Sequence, residues 1–465
     1  MYLISWYAKN VSKDDGAIGY LLAGRKMPFY IVAVMIAGLA IGGASTVGVA
    51  ENAYHSGLSA GMYNAAWAAG AIIVGLVAAK RFRDMNIRTI PQLLENHYGV
   101  SGRIIGVIGQ IIIQIVITSL QFVAGGAILA ALLPQTFTLS TGMMITAIVF
   151  IGITFIGGYW GAGLTNLLNV IVIYIGVIIG GIMSILQIGG ISELTTTLPQ
   201  SNHWFNPISG VGIAVIIAWF MVMITQSFSV QAITQISFAA KNAKEAKKGF
   251  LIGGLIILPI GFISALIGIV GAAQYPGIQA TMALPKVVTN LNPILAGMVL
   301  SGLWAADVST GCGLLMGSST LVVEDIYKRF VQTEITNKKE KLISRIIVLS
   351  ISIITYILAS NVVGILETLL IGLSLTTAYT VIVLFTMFAP HLCKKSSAFW
   401  TLLSGIAVLI IWTLVPATRI FPHVIFMEWA VTLPVFLIVS QIDKRPAKFK
   451  EQTKKEAKKK PKTKK

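Results

Sequence analysis

Oxygen-bearing side chains lie in the middle of an apolar stretch that runs from Trp304 to Lys328. Polar and ionisable groups at membrane depth are costly, and they usually face a cavity, a partner or an ion path. In a helix, the hydroxyls of Ser309 and Thr310 share a face with the backbone carbonyl of Ala306, three and four residues earlier. Oxygen atoms grouped in this way suit a small, hard cation, and Asp307 adds a carboxylate beside them. The alternative is that the hydroxyls bond to the preceding turn or to a neighbouring helix.

The composition indicates which class of protein holds this stretch. Of the 465 residues, 55% are hydrophobic and only 11% are charged. Several apolar runs reach the roughly 20 residues that a helix needs to cross a bilayer. The chain is therefore predicted to be an all-α, multi-pass integral membrane protein. We find no nucleophile with a nearby His and carboxylate and no cluster of metal ligands, so neither an enzyme nor a cofactor is indicated.

The formal net charge of +18 would suggest a nucleic-acid partner in a soluble protein. Twelve of the Lys and Arg residues, however, lie between Lys444 and Lys465. Residues 441–465 are therefore predicted to form a Lys-rich cytoplasmic tail, which merely solubilises and orients the chain or contacts anionic lipid headgroups. A nucleic-acid partner is not expected.

Twelve membrane spans are predicted from the apolar runs and from the Gly and Pro residues that separate them. They lie at about residues 28–50, 59–80, 103–133, 139–157, 162–188, 208–238, 248–273, 291–326, 341–359, 361–388, 396–416 and 421–440. Lys and Arg residues concentrate in alternate connections, and the other set holds little more than Lys286 and Arg419. By the positive-inside rule, both termini are predicted to be cytoplasmic in the plasma membrane.

Two spans are interrupted at corresponding places. The first contains Gly38 and then the run IGGAST at 41–46, and adjacent glycines weaken a helix and allow its backbone to approach a ligand. The sixth contains the polar run TQS at 225–227, followed by Ser229 and Gln231. Paired interruptions are typical of inverted repeats whose discontinuous helices surround a transport site at the middle of the membrane. Each alone could instead serve close helix packing.

Four separated segments resemble those of the sodium:solute symporter family, which includes sodium/proline, sodium/pantothenate and sodium/glucose carriers. They cover about residues 19 to 390 in order. The segments are GYLLAGR at 19–25; GGYWG at 157–161 with Thr165, Asn166 and Asn169; Gln235 with AAK at 239–241 and AKKG at 246–249; and ST at 309–310, SS at 318–319 and DIYK at 325–328.

The resemblance implies a LeuT-type fold with a five-plus-five inverted repeat, discontinuous helices 1 and 6 and sodium-driven alternating access. The repeats would cover residues 28–190 and 208–390, followed by two further transmembrane helices at 396–440. The resemblance also places a sodium ion between the first and eighth helices. Its ligands would be the backbone carbonyls of Gly38, Ile41 and Ala306 and the hydroxyls of Ser309 and Thr310.

The chain departs from the family pattern at three places. The family usually has an extra helix before residue 19, but Met1–Ala8 is apolar and too short to span, so residues 1–27 would be a cytoplasmic segment with at most the remnant of that helix. Either the start is truncated or this carrier dispenses with the helix. Ile236 stands where the family usually has Arg. The carboxylate that the family carries on its fifth helix is replaced by Asn166, whereas Asp307 adds one to the eighth. We expect Asp307 to supply the counter-charge near sodium. The alternatives are that Asp307 is neutral and couples transport to protons, or that it pairs with a distant Lys.

The solute is expected to contact the interrupted segments and the neighbouring third helix. The candidate residues are Gly43, Ser45, Thr46, Gln114, Thr118, Gln226, Ser227 and Gln231. The exposed N-terminal end of a half-helix favours a carboxylate. An amino acid, an organic acid or a pantothenate-like molecule is therefore favoured over a sugar. A channel and a transporter-like sensor are less favoured, because the polar groups trace no continuous pore and only the basic tail follows the last span.

Overall fold

The computed structural model describes residues 21–199, 204–360 and 365–447, together with Leu3, Trp6, Tyr7 and Gly19. At 156–158, 309, 337, 338, 341 and 367 it describes the backbone alone. The predicted N-terminal segment lies largely outside the described residues, and so does most of the predicted basic tail.

The described residues form helices joined by short turns. The helices that build the membrane domain are α1 (Phe29–Ala40), α2 (Val49–Ser56), α3 (Met62–Val77), α4 (Ile90–Tyr98), α5 (Val100–Leu132), α6 (Leu139–Gln187), α7 (Ile213–Ser229), α8 (Gln231–Ala239), α9 (Ala243–Gln274), α10 (Pro293–Leu321), α11 (Asn337–Ala359), α12 (Ile365–Ser374), α13 (Thr376–Phe388), α14 (Ser397–Leu414) and α15 (Val424–Ile442). A π-helical turn, Ala44–Gly48, precedes α2, and another, Val322–Val331, extends α10.

Helices occupy each of the twelve predicted spans. Within the described ranges, nine helical segments are long and apolar enough to cross a membrane, and the bent pair α7–α8 makes a tenth. Phe29–Ala40 and Leu139–Phe155 are apolar but shorter. They coincide with the first half of the first predicted span and with the fourth. The all-α membrane architecture expected from the composition is therefore confirmed.

The helix α6 is assigned as one continuous element, yet its two halves run in opposite directions along α10. In the first half, Thr146 meets Trp304 and Phe150 meets Cys312, so both residue numbers rise together. In the second half, Asn169 bonds to Ala305 and Gly176 packs against Val299, so one number rises as the other falls. The chain therefore reverses between Phe155 and Tyr159, and α6 supplies two antiparallel spans, as predicted.

The first and sixth spans are both broken, and they run antiparallel. The first breaks after Ile41, which leaves the helical region with φ −88° and ψ 73°. The sixth breaks at Val230, which is extended with φ −67° and ψ 127°, and the axes of α7 and α8 differ by 48°. Met27 at the start of the first span pairs with Ala240 at the end of the sixth. This is the arrangement of an inverted repeat.

Glycines along α9 allow the first two spans to pack closely on it. A β-carbon at Gly249 or Gly253 would overlap a side chain of α1, and one at Gly268 would overlap the backbone of α2. A β-carbon at Gly261 would lie 2.5 Å from the β-carbon of Asn64 in α3. Because the absence of side chains lets backbones approach, α1, α2, α3 and α9 form one tightly packed unit.

A network of ion pairs closes the Lys/Arg-rich face, which is the side of the molecule that holds Arg88 and Arg103. Arg103 pairs with Asp325 at 2.6 Å and also with Glu95. Asp325 is fully buried and accepts a further bond from the Thr89 hydroxyl at 3.0 Å. The network joins α4 and the start of α5 to the first turn of the α10 extension.

We expect Arg103→Gln to destabilise the protein, because Asp325 would remain buried without its cationic partner. Breaking a buried pair from one side costs about 3–5 kcal/mol. The measurement is the apparent melting temperature of the purified protein in detergent. The matched control is Arg445→Gln, which breaks an exposed pair with Asp443 and should leave the melting temperature unchanged. Equal melting temperatures for the two variants would contradict this account.

Candidate functional site

The break in the first span lies against the middle of α10. The Thr310 hydroxyl donates a hydrogen bond to the Gly38 carbonyl at 2.7 Å and a weaker one to the Ala306 carbonyl at 3.3 Å. Two of the carbonyl oxygens expected to bind the cation, those of Gly38 and Ala306, therefore lie within 3.3 Å of a third expected ligand, the Thr310 hydroxyl. Ile41 follows α1 directly and bonds through its N–H to Ala37. The side chain of Ser309 lies outside the described part of the chain.

Asp307 is fully buried beside the same break. Its Oδ1 accepts a hydrogen bond from the Gly43 N–H at 3.1 Å, and the Oε1 of Gln121 shares that N–H at 2.9 Å. The other oxygen, Oδ2, lies against the backbone of Gly125, and the ion pairs of the described residues do not include Asp307. A β-carbon at Gly125 would lie 2.6 Å from this oxygen and 2.9 Å from the Thr146 hydroxyl. The carboxylate therefore faces α5 and α6 behind the break.

Asn166 approaches the break from the second half of α6. A β-carbon at Gly38 would lie 2.7 Å from the Asn166 amide nitrogen, and the amide oxygen of Asn166 has no partner in the described part of the chain. One turn further on, Asn169 donates to the Ala305 carbonyl at 3.0 Å. The fifth span thus brings an amide, and not a carboxylate, beside Gly38.

A small cavity lies between the two breaks. Its volume is about 30 Å³, and because one water needs about 10–15 Å³ of such space, it holds roughly two waters. Most of its wall is apolar, with two amides, two aromatic rings and one hydroxyl. The lining residues are Leu39, Ala40, Gly42, Ala44, Tyr63, Trp67, Ile117, Gln121, Gln226, Val230, Ile233, Thr310, Leu314, Leu369 and Leu373.

The predicted solute-binding residues on the first span turn toward their own helix. The Ser45 hydroxyl donates to the Ala40 carbonyl, and the Thr46 hydroxyl donates to the Gly42 carbonyl at 2.9 Å. The N–H of Gly43 is bonded to Gln121 and Asp307. These residues shape the break rather than present free donors to the cavity.

Of the remaining solute-binding candidates, one lines the cavity and the others lie elsewhere. Gln226 lines the cavity, whereas the Ser227 hydroxyl donates to Met223 and lies against Gly70 of α3. Gln231 bonds to the backbone of Arg88 and Ile90 near the Lys/Arg-rich face. On α5, Thr118 donates to the Gln114 carbonyl at 2.7 Å. The amide of Gln114 is buried without a partner among the described residues, close to Gly317.

Gln121 lines the cavity and was not singled out from the sequence. It belongs to a face of α5 that also carries Gln110 and Gln114, at spacings of seven and eleven residues, which return to nearly the same side of a helix. Gln110 accepts from the Gln231 N–H at 3.0 Å and donates to the Ser229 carbonyl at 2.8 Å, across the break in the sixth span. This row of glutamines in an apolar span is the sequence pattern from which Gln121 could have been predicted.

Curated relatives match nearly the whole chain. The high-affinity proline transporter PutP of Bacillus subtilis is 25% identical over 434 residues, covering 89% of each chain. The osmoregulated proline transporter OpuE of the same bacterium is 24% identical and covers 96% of this chain and 94% of its own. A sodium/proline symporter of Staphylococcus aureus is 24% identical and covers 93% of this chain and 89% of its own.

Solved structures show the same fold. A Na⁺-coupled sialic acid symporter in its substrate-bound, outward-open state superposes with a TM-score of 0.79 at 19% identity, covering 96% of both chains. Mhp1, a nucleobase-cation-symport-1 family transporter in a closed conformation with bromovinylhydantoin bound, superposes with a TM-score of 0.62 at 16% identity, covering 90% of this chain and 92% of its own. The expected LeuT-type fold is confirmed.

The model of the sodium:solute symporter family matches residues 20–405, which is most of the chain and includes both breaks, the glutamine face of α5 and Thr310. The resemblance found in the four sequence segments is therefore confirmed. The protein is a transporter that couples solute import to Na⁺, not an enzyme, and it belongs to the sodium:solute symporter family.

Proposed function

We propose that this sodium-coupled symporter imports a small, net-neutral amino acid of the proline type. The observation that carries the sodium part is the contact between the Thr310 hydroxyl and the Gly38 carbonyl, which joins the broken first span to α10. Sodium would bind here to the carbonyls of Gly38, Ile41 and Ala306 and to the hydroxyls of Ser309 and Thr310. Carbonyl and hydroxyl oxygens are the ligands that hard cations prefer.

Asp307 would supply the counter-charge for this sodium. It adjoins Ala306 in the chain, is fully buried and has no cationic side chain bonded to it among the described residues. An isolated charge at membrane depth is costly, so a carboxylate there needs a cation to balance it. Because Asn166 stands where the family usually carries a carboxylate, the fifth span supplies no counter-charge, and Asp307 would take that role.

The charge balance favours a solute without net charge. One sodium and one ionised Asp307 sum to zero, and a zwitterion leaves that sum unchanged. An organic acid or a pantothenate-like anion would add an uncompensated negative charge inside the membrane, unless a further cation entered with it. Among the solute classes expected from the sequence, the amino acid is therefore favoured.

The cavity supports a compact solute with an apolar body. Leu369, Leu373 and Ile233 supply apolar walls, while the amides of Gln121 and Gln226 supply hydrogen bonds. The relatives named for proline transport support the same choice. Since the volume of about 30 Å³ is smaller than proline, the walls must separate when the solute binds.

Sodium binding and solute binding would be coupled because both sites include the break in the first span. Sodium bound between the first span and α10 holds Gly42 and Gly43 in the conformation that completes the cavity wall. Each ligand then tightens the binding of the other by the same factor. Each sodium that moves down a potential of 100 mV supplies about 2.3 kcal/mol for solute import.

The orientation and surroundings of the chain are part of the proposal. Lys and Arg residues gather on the face closed by Arg88 and Arg103, so this face and both termini would lie in the cytoplasm, with the protein in the plasma membrane. The two five-helix repeats would cover residues 28–190 and 208–390. The basic tail up to Lys465 would contact anionic lipid headgroups.

Thr310→Ala should raise the sodium concentration for half-maximal uptake by about tenfold, the effect of losing one favourable contact of roughly 1.4 kcal/mol. The measurement is solute uptake into proteoliposomes as external sodium is varied. Ser318→Ala removes a buried hydroxyl of the same helix that bonds only within it, to Leu314, and should leave the sodium dependence unchanged. A similar shift in both variants would assign Thr310 to helix packing.

Asp307→Asn should also raise the half-maximal sodium concentration, by a factor on the order of ten, because the counter-charge is lost. Removal of the negative charge should also make pantothenate a better competitor relative to proline. An unchanged sodium dependence, beside a raised one in Thr310→Ala, would contradict the role given to Asp307. Uptake driven by an inward proton gradient without sodium, and lost in Asp307→Asn, would assign proton coupling to this carboxylate instead.

The solute class is tested by uptake of radiolabelled L-proline into proteoliposomes with and without an inward sodium gradient. Unlabelled amino acids, succinate, pantothenate and glucose serve as competitors. We expect sodium-dependent proline uptake that small apolar amino acids inhibit more strongly than the anions or the sugar. Saturable uptake that is independent of both sodium and voltage would rule out the symport mechanism, and stronger inhibition by pantothenate would rule out the net-neutral solute.

A further inference from the structure

A large cavity lies at the Lys/Arg-rich face, beside the ion-pair network. Its volume is about 900 Å³, within the range of 300–1,000 Å³ that small-molecule sites usually have. Its wall combines the end of α4 and the start of α5 with Arg329 of the α10 extension, Lys395 before α14 and residues 444–446 after α15. It is separate from the central cavity between the two breaks, with which it shares no lining residue.

This basic cavity is lined by four cationic side chains, those of Arg329, Lys395, Lys444 and Arg445. The one carboxylate among the described lining residues, Glu95, already pairs with Arg329 at 2.7 Å. Arg445 pairs with Asp443 at 2.9 Å. The ion pairs of the described residues include neither Lys395 nor Lys444. These two lysines therefore give the basic cavity an excess of positive charge, which attracts an anion.

Backbone hydrogen bonds hold the two segments that carry these lysines together. The Lys395 N–H donates to the Arg445 carbonyl at 2.9 Å, and the Ala447 N–H donates to the Cys393 carbonyl at 3.0 Å. The chain after α15 is thereby paired with the chain before α14. Lys395 and Lys444 are carried on a fixed backbone, so less conformational entropy is lost when they order around an anion.

The start of α5 adds backbone N–H groups to this positive charge. Gly99 and Val100 line the basic cavity, and no side chain caps the helix. The Arg103 N–H donates to the Gly99 carbonyl at 3.4 Å, and the N–H groups that precede Arg103 in the first turn have no acceptor inside the helix. A β-carbon at Gly99 would meet nothing within 4 Å, so the space beside it is open. Such N–H groups bind phosphate well, particularly with cations nearby.

An apolar ridge on the surface of α5 continues from the basic cavity. Val100 lines the cavity, and Ile104 and Ile108 follow it at four-residue spacing on the same side of the helix. All three side chains are at least 40% exposed. Exposed apolar side chains on a transmembrane helix lie against acyl chains. A molecule that carries both a phosphate and an acyl chain therefore matches the cavity and the ridge together.

We propose that the basic cavity binds the headgroup of one anionic phospholipid, whose acyl chain lies along the ridge of Val100, Ile104 and Ile108. Lys395 and Lys444 bind the phosphate together with the N–H groups at the start of α5. Basic cavities between transmembrane helices are suited to such headgroups. This is a defined site within the fold, unlike the general attraction proposed for the basic tail. It depends neither on the solute nor on sodium.

The test follows the apparent melting temperature of the purified full-length protein in detergent as dihexanoyl phosphatidylglycerol is added. Dihexanoyl phosphatidylcholine has the same chains without net charge, and glycerol 1-phosphate has the phosphate without chains. We expect a saturable rise with phosphatidylglycerol, because a ligand that binds only the folded protein stabilises it, and little effect of the other two. Equal stabilisation by the two lipids would overturn the anion site, and equal stabilisation by glycerol 1-phosphate would overturn a lipid as its ligand.

Lys395→Gln combined with Lys444→Gln should raise the phosphatidylglycerol concentration for half-maximal stabilisation by about tenfold. Without lipid, this double variant should melt like the unmodified protein, because neither lysine takes part in an ion pair of the described residues. The matched control is Lys244→Gln with Lys247→Gln, which removes two exposed lysines of α9 outside the cavity and should change nothing. An unchanged titration in the first double variant would assign the lipid to the tail, and equal shifts in both would show general attraction; either result contradicts the proposal.

Val100→Glu tests the opposite wall of the basic cavity. A carboxylate in the first turn of a helix is favourable, so the fold should tolerate it, and it competes with phosphate for the same N–H groups and lysines. We expect Val100→Glu to raise the half-maximal phosphatidylglycerol concentration by about tenfold and the uncharged Val100→Gln to raise it far less. Equal effects of the two substitutions would overturn the role given to the start of α5.

Discussion

A broken helix inside a membrane exposes backbone groups that water cannot satisfy, and the architecture of this protein depends on meeting that demand. Helix α5 meets most of it. Gln121, together with Asp307, accepts the Gly43 N–H at the first break, and Gln110 bonds to both Ser229 and Gln231 at the second. The two glutamines stand eleven residues apart, so one face of one helix serves both breaks. The backbone irregularities survive at membrane depth because α5 holds them.

In the proposed arrangement, the cation and the solute would both bind within a few ångströms of the break in the first span. The Thr310 hydroxyl contacts the first break from one side, and Gln121 contacts it from the other while also lining the central cavity. A change in the conformation of Gly42 or Gly43 therefore alters both sites together. The close packing of α1, α2 and α3 on the glycines of α9 transmits such a change to a whole unit of helices, because tightly packed interfaces shift as bodies rather than deform.

The all-α membrane fold could be predicted from the composition, and the LeuT-type fold from the resemblance of four separated segments. The oxygen face of α10 is a prediction from local spacing. Ala306 and Thr310 share a face in any helix. Paired glycines only weaken a helix, and the pairs at 125–126 in α5 and 253–254 in α9 lie in continuous helices. The direction of Gln231 could not be predicted, since a single extended residue, Val230, reorients everything that follows it. Ser227 turns away from the cavity because its hydroxyl bonds to Met223 and packs against Gly70, a contact between distant segments. The leucines of the central cavity could not be distinguished either, because apolar residues at lipid-facing and cavity-facing positions have the same composition. The glutamine spacing along α5 would have allowed Gln121 to be predicted. The ion-pair partners of Arg103 could not be predicted, because they depend on contacts between distant segments.

The counter-charge role proposed for Asp307 would have an electrical consequence for the transport cycle. With sodium and a zwitterion bound, the proposed site would carry no net charge, so the loaded carrier would change conformation without moving charge through the membrane field. The empty carrier would retain the negative charge, and its return would then be the step on which the membrane potential acts. A negative interior would drive that charge outward and bring the empty site back to the outer face. The potential would therefore set how fast the carrier resets, and transient currents would arise from the protein before any solute is added.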